Sequence, residues 1–333
     1  MKVLVTGGSG LVGKAIQHIT DNDGSAEFIF ASSQDVDLIN TTETIKFFET
    51  HKPDIVIHLA AVVGGLYKNM DNNLQMYNKN LIMNTNVIEC CHVYRVKKSI
   101  FCLSTCIFPD INENTPWLRY PISELDLHKG PPHPSNKGYS YAKRMIQVHT
   151  ELYNDYYIKN NMPNRMICII PTNVYGPFDN FDLKNGHAIA GLIHQCYLAA
   201  KNNVDFLVKG TGAPLRQFIY SMDLAKLIIW VVHNFEGTEH SNSIILSPPA
   251  EHEISIANVA EIIKDIFEKY YNTSISLKFD STYSDGQYKK TADNTLLTGL
   301  ISDSKFNVKF TDIKIGLKET INWFILSYDK IRK

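Results

Sequence analysis

Short apolar runs alternate with stretches of helical spacing through the first half of the chain, without internal repeats or low-complexity segments. The pattern predicts strands over residues 2–6, 27–31, 54–60, 99–104 and 165–170, with helical stretches between them. Near-continuous hydrophobic strands are those buried on both faces, so this order predicts a Rossmann-type, doubly wound parallel sheet in an α/β protein. Right-handed crossovers bring the carboxyl ends of such strands to one edge, where the loops form a ligand crevice.

Beyond Pro171 the alternation loosens. Loops are predicted at 175–187 and 210–216, helices over 188–201, 256–270 and 313–327, and a strand over 243–246. The expectation is a dinucleotide-binding domain over residues 1–170 and a smaller carboxy-terminal α/β substrate lobe over most of 171–333. No Pro/Gly/Ser-rich linker marks the boundary, and segments near 220–247 are expected to return to the first domain. The polar, proline-containing stretch 110–134 reads equally as an active-site rim or an ordinary surface excursion.

Composition narrows the class of ligand. A chain of 333 residues, 44% of them hydrophobic, supports a sizeable core. Its formal net charge of -1 gives no electrostatic footprint for nucleic acid or an anionic membrane, so a small, locally recognised ligand is expected. The first strand starts at Lys2 and no apolar run reaches membrane-spanning length, so a soluble, cytoplasmic protein is expected. Cys90, Cys91, Cys102, Cys106, Cys168 and Cys196 show neither CxxC spacing nor clustering with histidine, so free thiols and no metal are expected.

Gly7-Gly8-Ser9-Gly10-Leu11-Val12-Gly13 follows the first strand and opens a helix. Without side chains the backbone can approach a pyrophosphate, whose charge meets the unpaired N–H groups of the helix start. The second strand ends in Ser32-Ser33-Gln34-Asp35. No acid stands at the strand end itself to accept from a ribose, and no Arg or Lys stands there for a 2′-phosphate. Three side chains able to donate tip the expectation to NADP. Asp37 and Leu38 read either as an adenine border or as a loop aspartate and a core leucine.

Tyr139 and Lys143 are four apart on a predicted helix and share a face, whereas Tyr141 points elsewhere. A phenol titrates near ~10, and an ammonium group together with an oxidised nicotinamide would lower that value. Ser104, at the end of a predicted strand, is suited to hold a carbonyl oxygen as negative charge develops. Cys106, two residues on, adds an acid/base group that simple reduction does not require. From the pattern alone it reads equally as a buried small apolar residue, and His187 as a satisfied loop histidine.

These segments, together with His58-Leu59-Ala60-Ala61, Ser104-Thr105-Cys106-Ile107-Phe108-Pro109, Pro171-Thr172-Asn173-Val174-Tyr175-Gly176-Pro177, Asp179-Asn180-Phe181, Gly186-His187 and Leu215-Arg216-Gln217-Phe218, resemble the extended short-chain dehydrogenase/reductase family across nearly the whole chain. The glycine loop and the Tyr139/Lys143 pair define the broad family; the Ser-x-Cys segment and the stretch reaching His187 resemble its nucleotide-sugar epimerase-reductases. The resemblance implies 3,5-epimerisation and NADPH-dependent 4-reduction of GDP-4-keto-6-deoxy-D-mannose to GDP-L-fucose. It makes Ser104, Tyr139 and Lys143 the reductase groups, Cys106 the base and His187 the acid. Gly7, Gly8, Ser9, Gly10, Leu11, Val12, Gly13, Lys143, Pro171, Thr172, Asn173, Val174 and His187 would hold NADP(H).

By the same resemblance Gln195, Lys209, Arg216, Asp285 and Lys290 would contact substrate, Arg216 gripping the diphosphate in bidentate fashion. Three positions depart from the family: Gln195 stands for a basic residue, Lys209 for a tryptophan, and Gln34 where a basic residue often meets the cofactor phosphate. The family pairs as homodimers through two helices, here 79–95 and 139–157. On the second, Met145, Val148, His149, Leu152 and Tyr156 form a stripe that reads as facing a partner or the core. Another nucleotide-sugar reductase or epimerase is the nearest alternative, and a non-catalytic dinucleotide sensor a more distant one.

Overall fold

The computed structural model describes residues 1–332 apart from 22, 23, 25, 65–70, 303–305 and 307. The alternation in the sequence becomes β1 (Lys2–Thr6), α1 (Leu11–Thr20), β2 (Glu27–Ala31), α2 (Thr41–His51), β3 (Ile55–His58), α3 (Asn73–Val93), β4 (Lys98–Cys102), α4 (Lys137–Lys159) and β5 (Arg165–Pro171). With β10 (Ser243–Leu246) these strands form a six-stranded parallel sheet in the order β10-β5-β4-β3-β1-β2. Successive crossovers leave β1 in opposite directions to β2 and β3, and the carboxyl ends of these three strands flank the switch point.

Strand parity divides the core into two layers. Leu4, Val56, Phe101 and Met166 face one side with Phe48 of α2, Val87 of α3 and Ile146 of α4. Val3, Val5, Ile57, Ile100 and Ile167 face the other with Ile16 of α1 and Leu224, Ile228 and Val231 of α6 (Ser221–Asn234). Two segments from the second half therefore pack on the sheet, α6 beside α1 and β10 beside β5. So does a short helix that the pattern did not predict, α8 (Thr295–Ser302), through Leu297.

Outside the sheet, α5 (Ala188–Asn202), α7 (Ile256–Tyr271) and α9 (Ile313–Leu326) enclose a third core of Ile193, Cys196, Ile263, Phe267, Ile321 and Phe324. Three small pairings tie this lobe together: β6 (Asn173–Tyr175) with β9 (Phe218–Tyr220), β8 (Leu215–Arg216) with β11 (Ile254–Ser255), and β7 (Phe206–Lys209) with β12 (Leu277–Asp280). Pairing with β11 draws Leu215 and Arg216 out of the predicted 210–216 loop into a strand.

The 110–134 stretch folds against the body. Ile122 N–H donates to Thr291 O at 2.9 Å, Asp293 N–H donates to Ile122 O at 2.8 Å, and Tyr120 Oη donates to Lys289 O at 2.6 Å. Further along it, Glu124 Oε1 accepts from the N–H of Ile245 on outer strand β10 at 2.8 Å. Burial raises the Glu124 carboxyl pKa even though that bond favours the charged form.

Candidate active site

The glycine run occupies the switch point. Gly7 has φ +71, and a Cβ there would lie 2.8 Å from Ala60 N, just past β3. A Cβ on Gly13 would lie 2.6 Å from Gly7 O, so this helix start packs on the preceding turn only as glycine. Gly10 caps α1 with no side-chain acceptor for its first N–H groups. Such a cradle of close-packed backbone and helix-start donors fits a dinucleotide pyrophosphate. Around it Gly8, Leu11 and Gly13 are buried and Ser9 is exposed. Thr172, past the end of β5, has a buried Oγ1 without a hydrogen-bond partner among the described residues, a group suited to face the same ligand.

Beneath the cradle, β3 ends earlier than its apolar run. Residues 59–60, expected to stay in the strand, lie past its end: Leu59 N–H still donates to Thr6 O at 3.1 Å, and both residues back Gly7. Fully buried His58 lies 2.7 Å from Thr6 Oγ1 through Nδ1 and 3.1 Å from Asn84 Oδ1 through Nε2. Thr6 Oγ1 also accepts from Ala60 N–H at 3.4 Å. Burial, then the Lys143 charge, pulls the His58 pKa down to about 3, so the ring works as a neutral spacer.

Strand β4 also stops short of its predicted end. Ser104 then caps a 3₁₀ turn, Thr105–Ile107, and its Oγ accepts from Cys106 N–H at 3.4 Å. One face of α4 clasps this turn. Lys143 Nζ donates to Cys102 O at 2.8 Å, Ser140 Oγ donates to Cys106 O at 2.8 Å, and Arg144 Nε donates to Ile107 O. Positions 139, 140, 143 and 144 share a helix face, so Tyr139 and Lys143 come to the turn that carries Ser104 and Cys106. Lys143 Nζ sits 5.9 Å from the Tyr139 ring centre, and both side chains are buried.

The protein alone does not lower the phenol pKa. Burial pushes the Tyr139 phenol well above its ordinary value, and Cys106 and Cys102 push the same way. Burial lowers the Lys143 ammonium, against a smaller opposing effect of those thiols. A reactive phenolate here therefore needs positive charge beyond that of Lys143.

His187 caps the start of α5. Its Nδ1 lies 3.4 Å from Oδ1 of buried Asp179, a residue quoted above only as part of a family segment. The side chain keeps 47% of its surface exposed. Burial disfavours its charged form, but the hydrogen bond and charge of Asp179 more than offset this and the pKa is raised. Among the described hydrogen bonds and ion pairs, none links His187 directly to Cys106.

The expected substrate residues divide by what they hold. Arg216 Nη1 donates to Leu215 O at 2.7 Å and Tyr288 O at 3.1 Å, and Nη2 donates to Gln287 O at 2.7 Å. The bidentate fork expected for a diphosphate is thus turned onto the 287–288 backbone. Asp285 accepts from Thr211 N at 2.8 Å and from Thr211 Oγ1 at 2.6 Å, which ties two loops together. Lys290 carries its charge near Cys106, Asp110 and Arg216: burial and then Arg216 lower its pKa to about 8, while Cys106 and Asp110 act in the opposite direction. Lys209 Nζ stands 4.8 Å from the Tyr283 ring centre, and Gln195 is half-buried on α5.

β2 ends at Ala31, so no acid stands at the strand end itself, and the nearest one, Asp35, lies in the loop that follows. Asp35 turns back so that its Oδ2 accepts from Ser32 N at 2.8 Å and Ser32 Oγ at 2.7 Å, and these bonds lower its pKa. The Ser32 hydroxyl, expected to face a phosphate, is spent on this turn. Two supports were not singled out as site residues in the sequence: Ser140, and buried Gln217, whose amide joins Pro248 and Ala292. Both make tertiary hydrogen bonds to backbone that local spacing does not reveal.

Residues 3–246 match the model of the NAD dependent epimerase/dehydratase family. The chain is 48% identical to GDP-L-fucose synthase of Dictyostelium discoideum, over 99% of its length and 97% of that protein. It is 42% identical to the probable GDP-L-fucose synthase of Drosophila melanogaster, over 100% and 99%. A crystal structure of a GDP-L-fucose synthetase from Naegleria fowleri bound to NADP superposes with TM-score 0.90 at 41% identity, covering 100% of this chain and 95% of that one.

Proposed function

The chain belongs to the NAD dependent epimerase/dehydratase family, and from that premise we propose that it converts GDP-4-keto-6-deoxy-D-mannose to GDP-L-fucose. It epimerises C3 and C5 and then reduces C4, with NADP(H) as cofactor. The observation that carries the reading is the clasp of α4 on the 102–107 segment, which brings Tyr139 and Lys143 to the turn that carries Ser104 and the Cys106 thiol.

In this reading the C4 ketone acidifies the hydrogens on C3 and C5. The Cys106 thiolate takes one of these protons, and the enolate charge gathers on the C4 oxygen, where the hydroxyls of Ser104 and Tyr139 stabilise it. Return of a proton from His187 on the opposite face inverts the carbon, and the thiol and imidazole are then restored through solvent. Bound NADPH supplies hydride to C4. Tyr139 gives its proton to the C4 oxygen, and the nicotinamide charge adds to that of Lys143 in favouring the phenolate left behind. Residues 7–13 and 171–174 hold the dinucleotide, with Lys143 and His187 bordering it. Lys290 and Arg216 face the diphosphate, the latter after exchanging its carbonyl partners, with Gln195, Lys209 and Asp285 around the nucleotide-sugar.

The same proposal divides the chain into a cofactor unit, residues 1–170 with 220–247, and a sugar unit from most of 171–333. It includes a homodimer through α3 and α4. On α4, Met145, Leu152 and Tyr156 are exposed and Val148 and His149 half-buried, so the stripe faces outward rather than into the core. His149 Nε2 reaches Glu89 Oε1 of α3 at 3.2 Å beside it. A cytoplasmic setting suits the six free thiols; among the described residues no helix is long and apolar enough to cross a membrane.

The test is proton NMR of the product formed from NADPH and GDP-4-keto-6-deoxy-D-mannose in deuterated water. Deuterium at both C3 and C5 of GDP-L-fucose is expected. A C4-reduced sugar without that label would leave a simple reductase, and no product would overturn the substrate assignment.

A further inference from the structure

The turn before His187 is built under strain. Phe178 has φ +72, a left-handed conformation that is rare for a bulky residue. Its carbonyl accepts from Arg332 Nη2 at 2.9 Å, its ring meets Trp323 at 4.9 Å edge to face, and Phe181 N–H donates to Arg332 O at 2.9 Å. These contacts over-determine the turn, and what it presents is the carboxylate of Asp179. Oδ1 accepts from Asn180 N–H at 2.7 Å and meets His187 Nδ1 at 3.4 Å; Oδ2 is buried and has no hydrogen-bond partner among the described residues. On the other side, Gly191 N–H donates to His187 O at 2.9 Å, which fixes His187 at the start of α5.

A buried carboxylate with an unused oxygen is costly unless a cation stands against it. The imidazolium form of His187, whose Nδ1 lies 3.4 Å from Oδ1, would supply that cation. We propose that Asp179 is a positioning residue for His187: it holds Nδ1–H, so that Nε2 is the nitrogen that exchanges a proton with the sugar carbon. The inference rests on His187 as the proton donor proposed above. The charged groups acting on the ring are Asp179 and, from the carboxyl-terminal segment, Arg332, whose charge works against protonation. Because Asp179 dominates, removing its charge moves the titration of His187 downward and leaves the acid deprotonated over more of the neutral range.

The experiment follows His187 by NMR in the whole enzyme labelled at histidine, together with exchange of deuterium from solvent into C3 and C5 of the substrate. The wild-type midpoint is expected above the ordinary value of ~6.5. In Asp179→Asn it should fall by about one unit, with exchange at neutral pH reduced at least about tenfold and NADPH affinity retained. Asp179→Glu, which keeps the charge, should recover part of both. Coincident titrations of wild type and Asp179→Asn, or undiminished exchange, would overturn the proposal. If Asp179→Asn does not fold, a wild-type midpoint at or below ~6.5 overturns it and a midpoint above, retained in Asp179→Glu, upholds it. Wild-type enzyme that exchanges neither hydrogen while the titration shift stands would instead count against the substrate reading.

Discussion

Ser140 donates its hydroxyl to the carbonyl oxygen of Cys106 across 2.8 Å, from one helix turn to the loop that carries the thiol. The serine is fully buried and one residue after Tyr139, so a single helix turn sets the position of both the phenol and the thiol.

Replacing Ser140 by Ala should therefore impair the thiol step more than cofactor binding. Loss of the donor leaves a partly buried carbonyl without its partner, a cost of about 1–3 kcal/mol. We expect deuterium exchange at C3 and C5 to slow on the order of tenfold while NADPH affinity changes little. Equal loss of both would mean that Ser140 supports the fold as a whole.

Lys290 gives a pH signature. Its amine is lowered to about 8, so between there and its ordinary 10.5 the unfolded chain binds a proton that the folded chain does not. Stability from this group rises with pH across that window, whereas the attraction for a diphosphate proposed for it would be lost. Apparent substrate affinity should weaken about tenfold by one unit above the midpoint. Lys290→Gln should bind weakly at every pH, without that inflection; an unchanged inflection would assign it to another group.

The glycine cradle separates fold from ligand. A Cβ on Gly10 would meet only Gly7 O at 3.2 Å, whereas one on Gly13 would meet Gly7 O and Gly8 Cα at 2.6 Å. Gly10→Ala should melt within about 1 kcal/mol of wild type yet lose at least about tenfold in NADPH affinity. Gly13→Ala should lower the melting temperature outright. Calorimetry with and without cofactor checks both, and a Gly10→Ala protein of normal affinity would argue against backbone contact there.

For the proposed dimer, Leu152→Arg is the direct variant. Leu152 is 62% exposed, so the monomer should tolerate the charge while an apolar interface between copies would not. Sedimentation should give dimers for wild type and monomers for the variant at micromolar concentration. Dimers in both would move the interface elsewhere.

Local pattern placed the strands over residues 2–6, 27–31 and 243–246 to the residue, because each apolar run ends where the chain turns. The runs at 54–60 and 99–104 continue apolar beyond the ladder, and there the pattern overshot. Leu59 and Ala60 serve the glycine loop, and Leu103 N–H donates to Ile169 O past the end of β4. Groups sharing one helix face, such as Tyr139 and Lys143, were legible from spacing. The facing of Asp179 to His187, the turn of Arg216 onto residues 287–288 and the return of Asp35 onto Ser32 depend on loop geometry and tertiary pairing. No periodicity encodes them.

The bond from Glu124 to the N–H of Ile245 has a consequence for solubility. The outer strand β10 has β5 on one side, and unpaired backbone on the other side of such a strand is a template for a strand from another molecule. Glu124 occupies a donor on that open side with an acceptor that cannot itself extend the ladder. The 110–134 stretch thereby covers part of the sheet's outer edge, and its loss would leave that backbone open to edge-to-edge pairing.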